Sequence, residues 1–382
     1  MTTKTIQKRT ISPFRYDIVG SFLRPERLKQ AREQFIKKEI THDELRKIED
    51  EEIIDLIRKQ EKAGLKAITD GEFRRSWWHL DFFWGLNGIS FKVPDHGYQF
   101  VGEETRAGTV TVTGKISGEN HPFVEDFKFV RDHVSEGTQV KQTIPAPAQL
   151  LIALTIGEEL ADARKFYDTN ESLVDAIVQA YQTVIKDFYD AGARTIQFDD
   201  CTWGLLVAEP PDGIPLLEGQ TELGAREALK HVFVDINNRV ITGLPDDLII
   251  NTHVCRGNYH SKWAFSGSYD FVADPLFNYE NVDAYYLEYD SDRSGGFEPL
   301  KLVSEDKLVV LGLITSKSGQ LEDRAVIIDR IHEAAQFIDL DRLALSPQCG
   351  FASTEEGNVL TEEQQWTKIA FIKSIAEEVW GD

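Results

Sequence analysis

His253 and Cys255 stand two residues apart at the end of LIINTHVC, a run rich in isoleucine and valine. Alternate side chains of an extended chain face the same way, so the imidazole and the thiol point to one side of a strand. Such a pair supplies two candidate ligands for zinc, which takes four thiolate, imidazole or carboxylate ligands and in an activating site keeps one position exchangeable. Glu288 in YYLEYDSD lies 33 residues beyond Cys255, and Cys349 in SPQCGF lies 61 beyond Glu288. Those intervals are too long for a self-contained finger, so a scaffold must assemble the four. A blander reading stands beside this one: a lone cysteine is commonly a small buried hydrophobe, and a lone histidine a hydrogen-bonded structural residue. The His-x-Cys pair weighs against it. Cys201, which follows two aspartates, gives no comparable signal and reads as packing beneath its loop. His260 is placed either to act as a base or to sit on a surface loop.

Other chemistries find less support. No P-loop is present and no GxGxxG follows the first strand, and SGG at Ser294–Gly296 reads as a flexible turn. With 42 basic against 64 acidic side chains and a net charge of −22, the surface is not built to neutralise nucleic-acid phosphates or anionic lipid. A small ligand or another protein is the expected partner. Three cysteines make a poor disulfide framework and suit a reducing compartment. The N-terminal MTTKTIQKRTISPFRYD has no apolar signal core, and no run approaches the about 20 apolar residues that cross a bilayer. A cytoplasmic protein is expected.

The elements that must position these residues follow a rhythm. RYDIVGSF, KAITDGEF, VKQTIP, ARTIQFDD, LIINTHVC, AYYLEYD, KLVVLGLITS and LALSPQCG read as eight strands, most of them separated by helical patterns. One such helix opens on a capping box, Thr41 with Glu44, and closes at Gly64. Eight strands with intervening helices predict an α/β fold, a TIM (β/α)8 barrel, in which reactive residues gather at the strand C-termini. Ser21, Asp70, Glu72, Asp199, His253, Cys255, Glu288, Ser316 and Cys349 all lie at such endings. Residues 74–134 break the rhythm, and the alternating TVTVTGKIS marks an antiparallel excursion. The chain, residues 1–382, is thus expected to be one barrel with a β-containing lobe inserted at about residues 74–134. In SWWHLDFFWG, the rings Trp77, Trp78, Phe82, Phe83 and Trp84 are expected mainly to pack the lobe, with one, Trp78 the candidate, left to meet a ligand.

The combination DIVGSFLRP, TDGEF, TIQFDD, THVC, YYLEYDSDRSGG and LSPQCG resembles the C-terminal catalytic half of the cobalamin-independent methionine synthase family, and most of all its shorter, single-barrel branch. The resemblance covers essentially the whole chain. It implies a zinc-dependent methyltransferase with His253, Cys255, Glu288 and Cys349 as ligands and catalytic centre. It places Ser21 near the amino-acid substrate and matches Glu72 and Asp199 to residues that hold the homocysteine amino group. Paired carboxylates suit a substrate ammonium in a partly desolvated cleft. The implied reaction is alkylation of the homocysteine sulfur to methionine by 5-methyltetrahydrofolate or its polyglutamate, by another small methyl donor, or with a separate donor protein.

Two departures bear on the donor. Where the family has D-E-P-A, this chain has DDCT at Asp199–Thr202, without the downstream glutamate. GLITSKSGQLED replaces a histidine-containing loop, leaving Ser316 and Lys317 as candidates for a donor or loop role. A methyltransferase or carbon–sulfur lyase acting on another small thiol is the alternative on the same barrel.

Overall fold

A computed structural model describes residues 8–208 and 221–381, the Glu222 side chain excepted. Residues 1–7, the start of the charged N-terminal segment, lie outside the described residues. In chain order the strands are β1 (Ala67–Ile68), β2 (Asn87–Lys92), β3 (Gln99–Phe100), β4 (Glu103–Glu104), β5 (Thr109–Ser117), β6 (Gln139–Val140), β7 (Gln142–Pro145), β8 (Thr195–Asp200), β9 (Ile249–Val254), β10 (Ala284–Glu288), β11 (Leu308–Ile314) and β12 (Leu343–Pro347). From β7 to β12 they form a six-stranded parallel sheet in sequence order. Almost every residue of these six strands is buried, as expected of parallel strands covered on both faces. That is why KLVVLGLI reads as a continuous apolar run.

Parallel neighbours need long crossovers, and most here are helical. Asn170–Asp190, before β8, shows the construction. Thr169 caps it by accepting from the Ser172 N–H at 3.1 Å, and Leu173, Ile177, Tyr181, Val184 and Phe188 recur on one buried stripe. The expected helix His42–Ala63 carries its capping box, with Gly64 left-handed at φ 88°. Between β10 and β11 the connection is instead two short 3-10 turns, Asp292–Ser294 and Glu298–Leu302.

Two further strand pairings flank the sheet. β1 pairs in parallel with β6, which runs into β7 through Lys141, whose N–H donates to the Ile68 carbonyl at 2.8 Å. RYDIVGSF, expected as a strand, makes only an isolated parallel bridge between Tyr16 and Leu345. The Asp17 side chain explains the shortfall: it accepts from the Ile18 N–H at 2.7 Å and the Phe14 N–H at 3.3 Å, competing with a regular ladder. The segment is still tied on both sides. Asp17 N–H donates to the Leu345 carbonyl at 3.0 Å, and Phe22 N–H to the Gly71 carbonyl at 3.1 Å. Tyr286, Val310 and Ala344, register partners on β10, β11 and β12, form a small apolar cluster apart from the main core.

Between β1 and β6 lies the excursion marked by TVTVTGKIS. β5 pairs antiparallel with β2, and β3 with β4 in a hairpin. The hairpin lies against the loop after β9: Val101 N–H donates to the Trp263 carbonyl at 3.0 Å, and His260 Nδ1 sits 2.6 Å from Glu103 Oε1. Helix Pro122–His133 then leads to β6. No described helix is long and apolar enough to cross a membrane.

Candidate functional site

The ends of β9 and β10 and the loop after β12 bring His253, Cys255, Glu288 and Cys349 together, with one ligand atom from each within 4.8 Å of the others. Register sets this up. His253 pairs with Tyr286 and Val254 with Leu287, so the two strands finish level, and Glu288 pairs with Gly312 on β11. A Cβ on Gly312 would lie 2.7 Å from the Gln348 Cα and from the Leu287 carbonyl; glycine there lets the turn carrying Cys349 draw in. The Cys255 and Cys349 sulfurs are 3.9 Å apart, close to the about 3.8 Å that separates two thiolates on one tetrahedral zinc. All four residues are buried. Both ring nitrogens of His253 are buried with no oxygen or nitrogen to bond to, and the Cys349 thiol is the group its imidazole meets, an arrangement that calls for a ligand.

Glu288 is held as an anion. Its Oε1 accepts from the Arg256 N–H at 2.8 Å and its Oε2 from Arg293 at 2.6 Å. Burial pushes its carboxyl up, but Lys317, Arg293 and His253 outweigh burial and hold it at about 2. Each oxygen keeps a further lone pair for a cation. The thiols behave oppositely: Cys201 and burial push the Cys255 thiol well up, and Cys255 and burial do the same to Cys349. A divalent ion is the group that reverses this, since a coordinated thiol loses its proton. The donor set is thus one that zinc fits.

A second polar group faces the same cavity. Glu72 is left-handed at φ 62°, directly after Gly71 at φ 67°, and the turn is held by the Glu72 N–H donating to Asp70 Oδ1 at 2.8 Å. Such strain in a non-glycine residue persists only where surroundings impose it. Here it turns the carboxylate inward: Oε1 accepts from the Thr143 hydroxyl at 3.0 Å and faces Arg75 at 3.2 Å, while Oε2 is buried and unpartnered. Asp199, in register with His253, accepts from Gln197 at 2.8 Å. Burial pushes both carboxyls up to about 7, against the pull of Arg75. Ser21 adjoins the turn carrying Cys349; its hydroxyl accepts from the Ala352 N–H at 3.3 Å and its carbonyl from the Phe351 N–H at 3.0 Å.

These residues line one cavity of about 350 Å³, which Ser21, Glu72, Asp199, His253, Cys255 and Cys349 share with a wall of aromatic rings. Trp77 and Trp78 belong to that wall, whereas Phe82 and Phe83 are fully in the core. Neither Ser316 nor Lys317 is among the lining residues. The Ser316 hydroxyl donates to the Gly350 carbonyl at 2.8 Å, bracing the Cys349 turn. The Lys317 ammonium is buried without a hydrogen-bond partner and acts on Glu288. His260 pairs with Glu103 rather than lining the cavity.

Several contributors were not legible in the sequence. Cys201, read as packing, lines the cavity and its thiol neighbours Cys255. Arg293 stands in DSDRSGG, where the glycines drew attention to flexibility, yet Ser294 is buried and a Cβ on Gly295 would meet the Ser268 Cβ at 2.7 Å. An arginine five residues after a buried glutamate was the available signal. His79, whose Nε2 lies 3.2 Å from the Tyr98 hydroxyl, had none.

The sequence profile of the family "Cobalamin-independent synthase, Catalytic domain" matches residues 16–370. The uncharacterized protein YxjH of Bacillus subtilis strain 168 is 45% identical over 375 residues, covering 98% of this chain and 97% of that one. The methionine synthase of Saccharolobus solfataricus is 23% identical over 347 residues, covering 87% and 86%. Among solved structures, a candidate vitamin-B12-independent methionine synthase of Listeria monocytogenes superposes with a TM-score of 0.73 at 37% identity, covering 97% of this chain and 99% of that one. A B12-independent methionine synthase of Shewanella sp. W3-18-1, solved with selenomethionine, gives 0.69 at 21% identity, covering 96% and 97%, and shares the fold.

Proposed function

This chain belongs to the family of cobalamin-independent synthase catalytic domains, and from that premise we propose a zinc-dependent methyltransferase that makes methionine from homocysteine. That it is a methionine-synthase-like enzyme follows from the family. The observation that carries the zinc reading is the buried cluster itself: His253, with no oxygen or nitrogen partner for its ring, offers a ligand atom within 4.8 Å of those of Cys255, Glu288 and Cys349.

His253, Cys255, Glu288 and Cys349 would hold the ion, which when bound supplies a Lewis acid that favours the thiolate form of an incoming thiol at neutral pH. The remaining work falls to side chains. The free Oε2 of Glu72 and the Asp199 carboxylate receive the substrate ammonium, and its positive charge draws both acids into their ionised forms. Ser21 and the Cys349 turn bound the cavity beside them. The ammonium is thereby anchored next to the cluster, and the sulfur of a short side chain is directed toward it. The folate donor implied by the resemblance is a separate matter, decided by the upper wall.

We read the scaffold as one closed eight-stranded barrel with an inserted lobe at about residues 74–134. The circuit of contacts from Tyr16 through β1, β6 and β7 to β12, and back to Tyr16 at Leu345, supports this. A cytoplasmic setting accords with the free thiols of Cys201, Cys255 and Cys349.

The test is zinc-edge X-ray absorption of the zinc-loaded protein with and without homocysteine, alongside mass detection of methionine. A new zinc–sulfur contact on adding homocysteine is expected, and its absence at saturation overturns the assignment. A lyase, or a transferase for another thiol, would show that contact only with its own substrate.

A further inference from the structure

We propose that the methyl donor is a small methylated cation, a sulfonium or a quaternary ammonium, received by the aromatic wall of the cavity. The proposal rests on the homocysteine-acceptor reading of the cavity floor and concerns the opposite wall.

That wall is made of Trp77, Trp78, Tyr98, Phe100, Tyr259 and Phe265. The rings meet at angles: Trp77 and Tyr98 have centroids 5.9 Å apart at 67°, and Phe100 and Tyr259 5.5 Å apart at 40°. A ligand beneath them would therefore meet ring surfaces from several directions, as in the cages that bind methylated ammonium groups. Tyr98 and Phe100 come from the hairpin segment, which is fixed over the cavity by Val101 bonding to Trp263 and by Glu103 facing His260.

Charge points the same way. Among the described residues lining the cavity there is no lysine or arginine, and its only carboxylates are Glu72 and Asp199. Arg106 lies 4.8 Å from the Trp77 ring centroid, but it is outside the lining and held by Glu355 and the Ser76 carbonyl. A folate with two or more carboxylates thus meets no cation among the described lining residues, in a chain of net charge −22. A methylated cation needs no counter-ion beyond the ring faces of this wall.

The chemistry also balances. The homocysteine thiolate uses a lone pair to form the new carbon–sulfur bond, and the donor's bond from methyl to sulfur or nitrogen breaks with its electron pair passing to that heteroatom. The leaving group departs as a neutral sulfide or tertiary amine and needs no proton. A departing folate nitrogen does need one. With Glu72 and Asp199 assigned to the ammonium and His253 to the metal cluster, the cavity's remaining imidazole is His79. Burial pushes it down to about 3, so it is neutral at pH 7.

The experiment offers zinc-loaded protein and homocysteine four deuteromethyl donors separately: trimethylsulfonium, choline, 5-methyltetrahydrofolate and its triglutamate. At least one onium probe should label methionine at least a hundredfold faster than either folate, and the faster of the two identifies sulfonium or ammonium as the source. Tyr98→Leu and Phe100→Leu, both on the exposed hairpin, should raise that donor's KM at least tenfold, with zinc content unchanged. Independently, intrinsic fluorescence of the metal-free protein should report choline binding at least tenfold tighter than its neutral isostere 3,3-dimethylbutanol. Inertness of both onium probes, or equal binding of choline and the isostere, overturns the donor assignment whatever the folates do. Loss of the homocysteine-induced zinc–sulfur contact instead overturns the acceptor reading beneath it.

Discussion

Asp199 and His253 are register partners on neighbouring parallel strands, β8 and β9. A carboxylate suited to an ammonium is thereby fixed beside an imidazole suited to a metal by backbone pairing rather than by loop conformation. Pro145 on β7 pairs with Asp199 in turn, and Thr143 on the same strand donates to Glu72. The distance between the two ends of the proposed substrate is consequently set by rigid elements.

The acid pair predicts a pH dependence. Burial pushes the Glu72 carboxyl of the unliganded protein up to about 7, so below that pH the ammonium binds only at the cost of expelling the carboxyl proton. KM for homocysteine should rise as pH falls from 8 to 6, while Glu72→Gln should have a high KM with a shallower rise over the same range, the part that Asp199 still contributes. Loss of one charge-assisted hydrogen bond of about 1.5–3 kcal/mol corresponds to roughly a 10- to 150-fold increase in KM. Steady-state kinetics across pH decides it, and a wild-type KM independent of pH would sink the assignment.

Metal retention tests the cluster separately from turnover. Purified protein should carry close to one zinc per chain. Cys255→Ser and Cys349→Ser should each lose it on dialysis against a chelator that leaves the wild type loaded, because a hydroxyl replaces a thiolate ligand. Elemental analysis with circular dichroism separates metal loss from misfolding. Folded Cys349→Ser protein with full zinc would remove Cys349 from the ligand set.

Much of this was legible in the sequence because strand ends carry both the fold signal and the chemistry. The runs ending in His253, Glu288 and Cys349 are continuous and apolar, since parallel strands are buried on both faces, and a polar residue closing such a run stands out. What stayed hidden is non-local or depends on backbone conformation. Nothing in TDGEF announces that Glu72 is left-handed. The pairing of Glu103 with His260 joins residues 157 apart, and the roof that Tyr98 and Phe100 form depends on it. RYDIVGSF has the composition of a strand, but Asp17 competes for its amides, and local side-chain bonding prevailed over propensity.

Arg293 should matter to metal binding without touching the metal. It donates to Glu288 Oε2 at 2.6 Å and also faces Asp290 at 2.7 Å, fixing the carboxylate and keeping it anionic. Arg293→Met keeps much of the side-chain volume and removes the charge. Such outer partners typically contribute 10- to 100-fold in affinity. Competition with a chromophoric chelator should show zinc affinity lower by that order at pH 7. Unchanged affinity would confine Arg293 to a structural role.

Glu280 offers a test of stability away from the cavity. It is fully buried, with Oε1 accepting from Asn237 at 2.7 Å and Oε2 unpartnered, and burial, then the charge of Asp200, pushes its carboxyl up to about 8. In the unfolded chain a glutamate ionises near 4.3, so between those values the folded state holds a proton that the unfolded state has released. Stability from this group is therefore complete below about pH 4 and declines as pH rises toward 8. Glu280→Gln keeps a carbonyl oxygen for Asn237 and cannot ionise. Urea unfolding of zinc-saturated protein should show the variant close to wild type at pH 5 and more stable at pH 8, by on the order of 2–4 kcal/mol. Parallel stability curves for the two proteins from pH 5 to 8 would show that Glu280 does not hold its proton in the folded state.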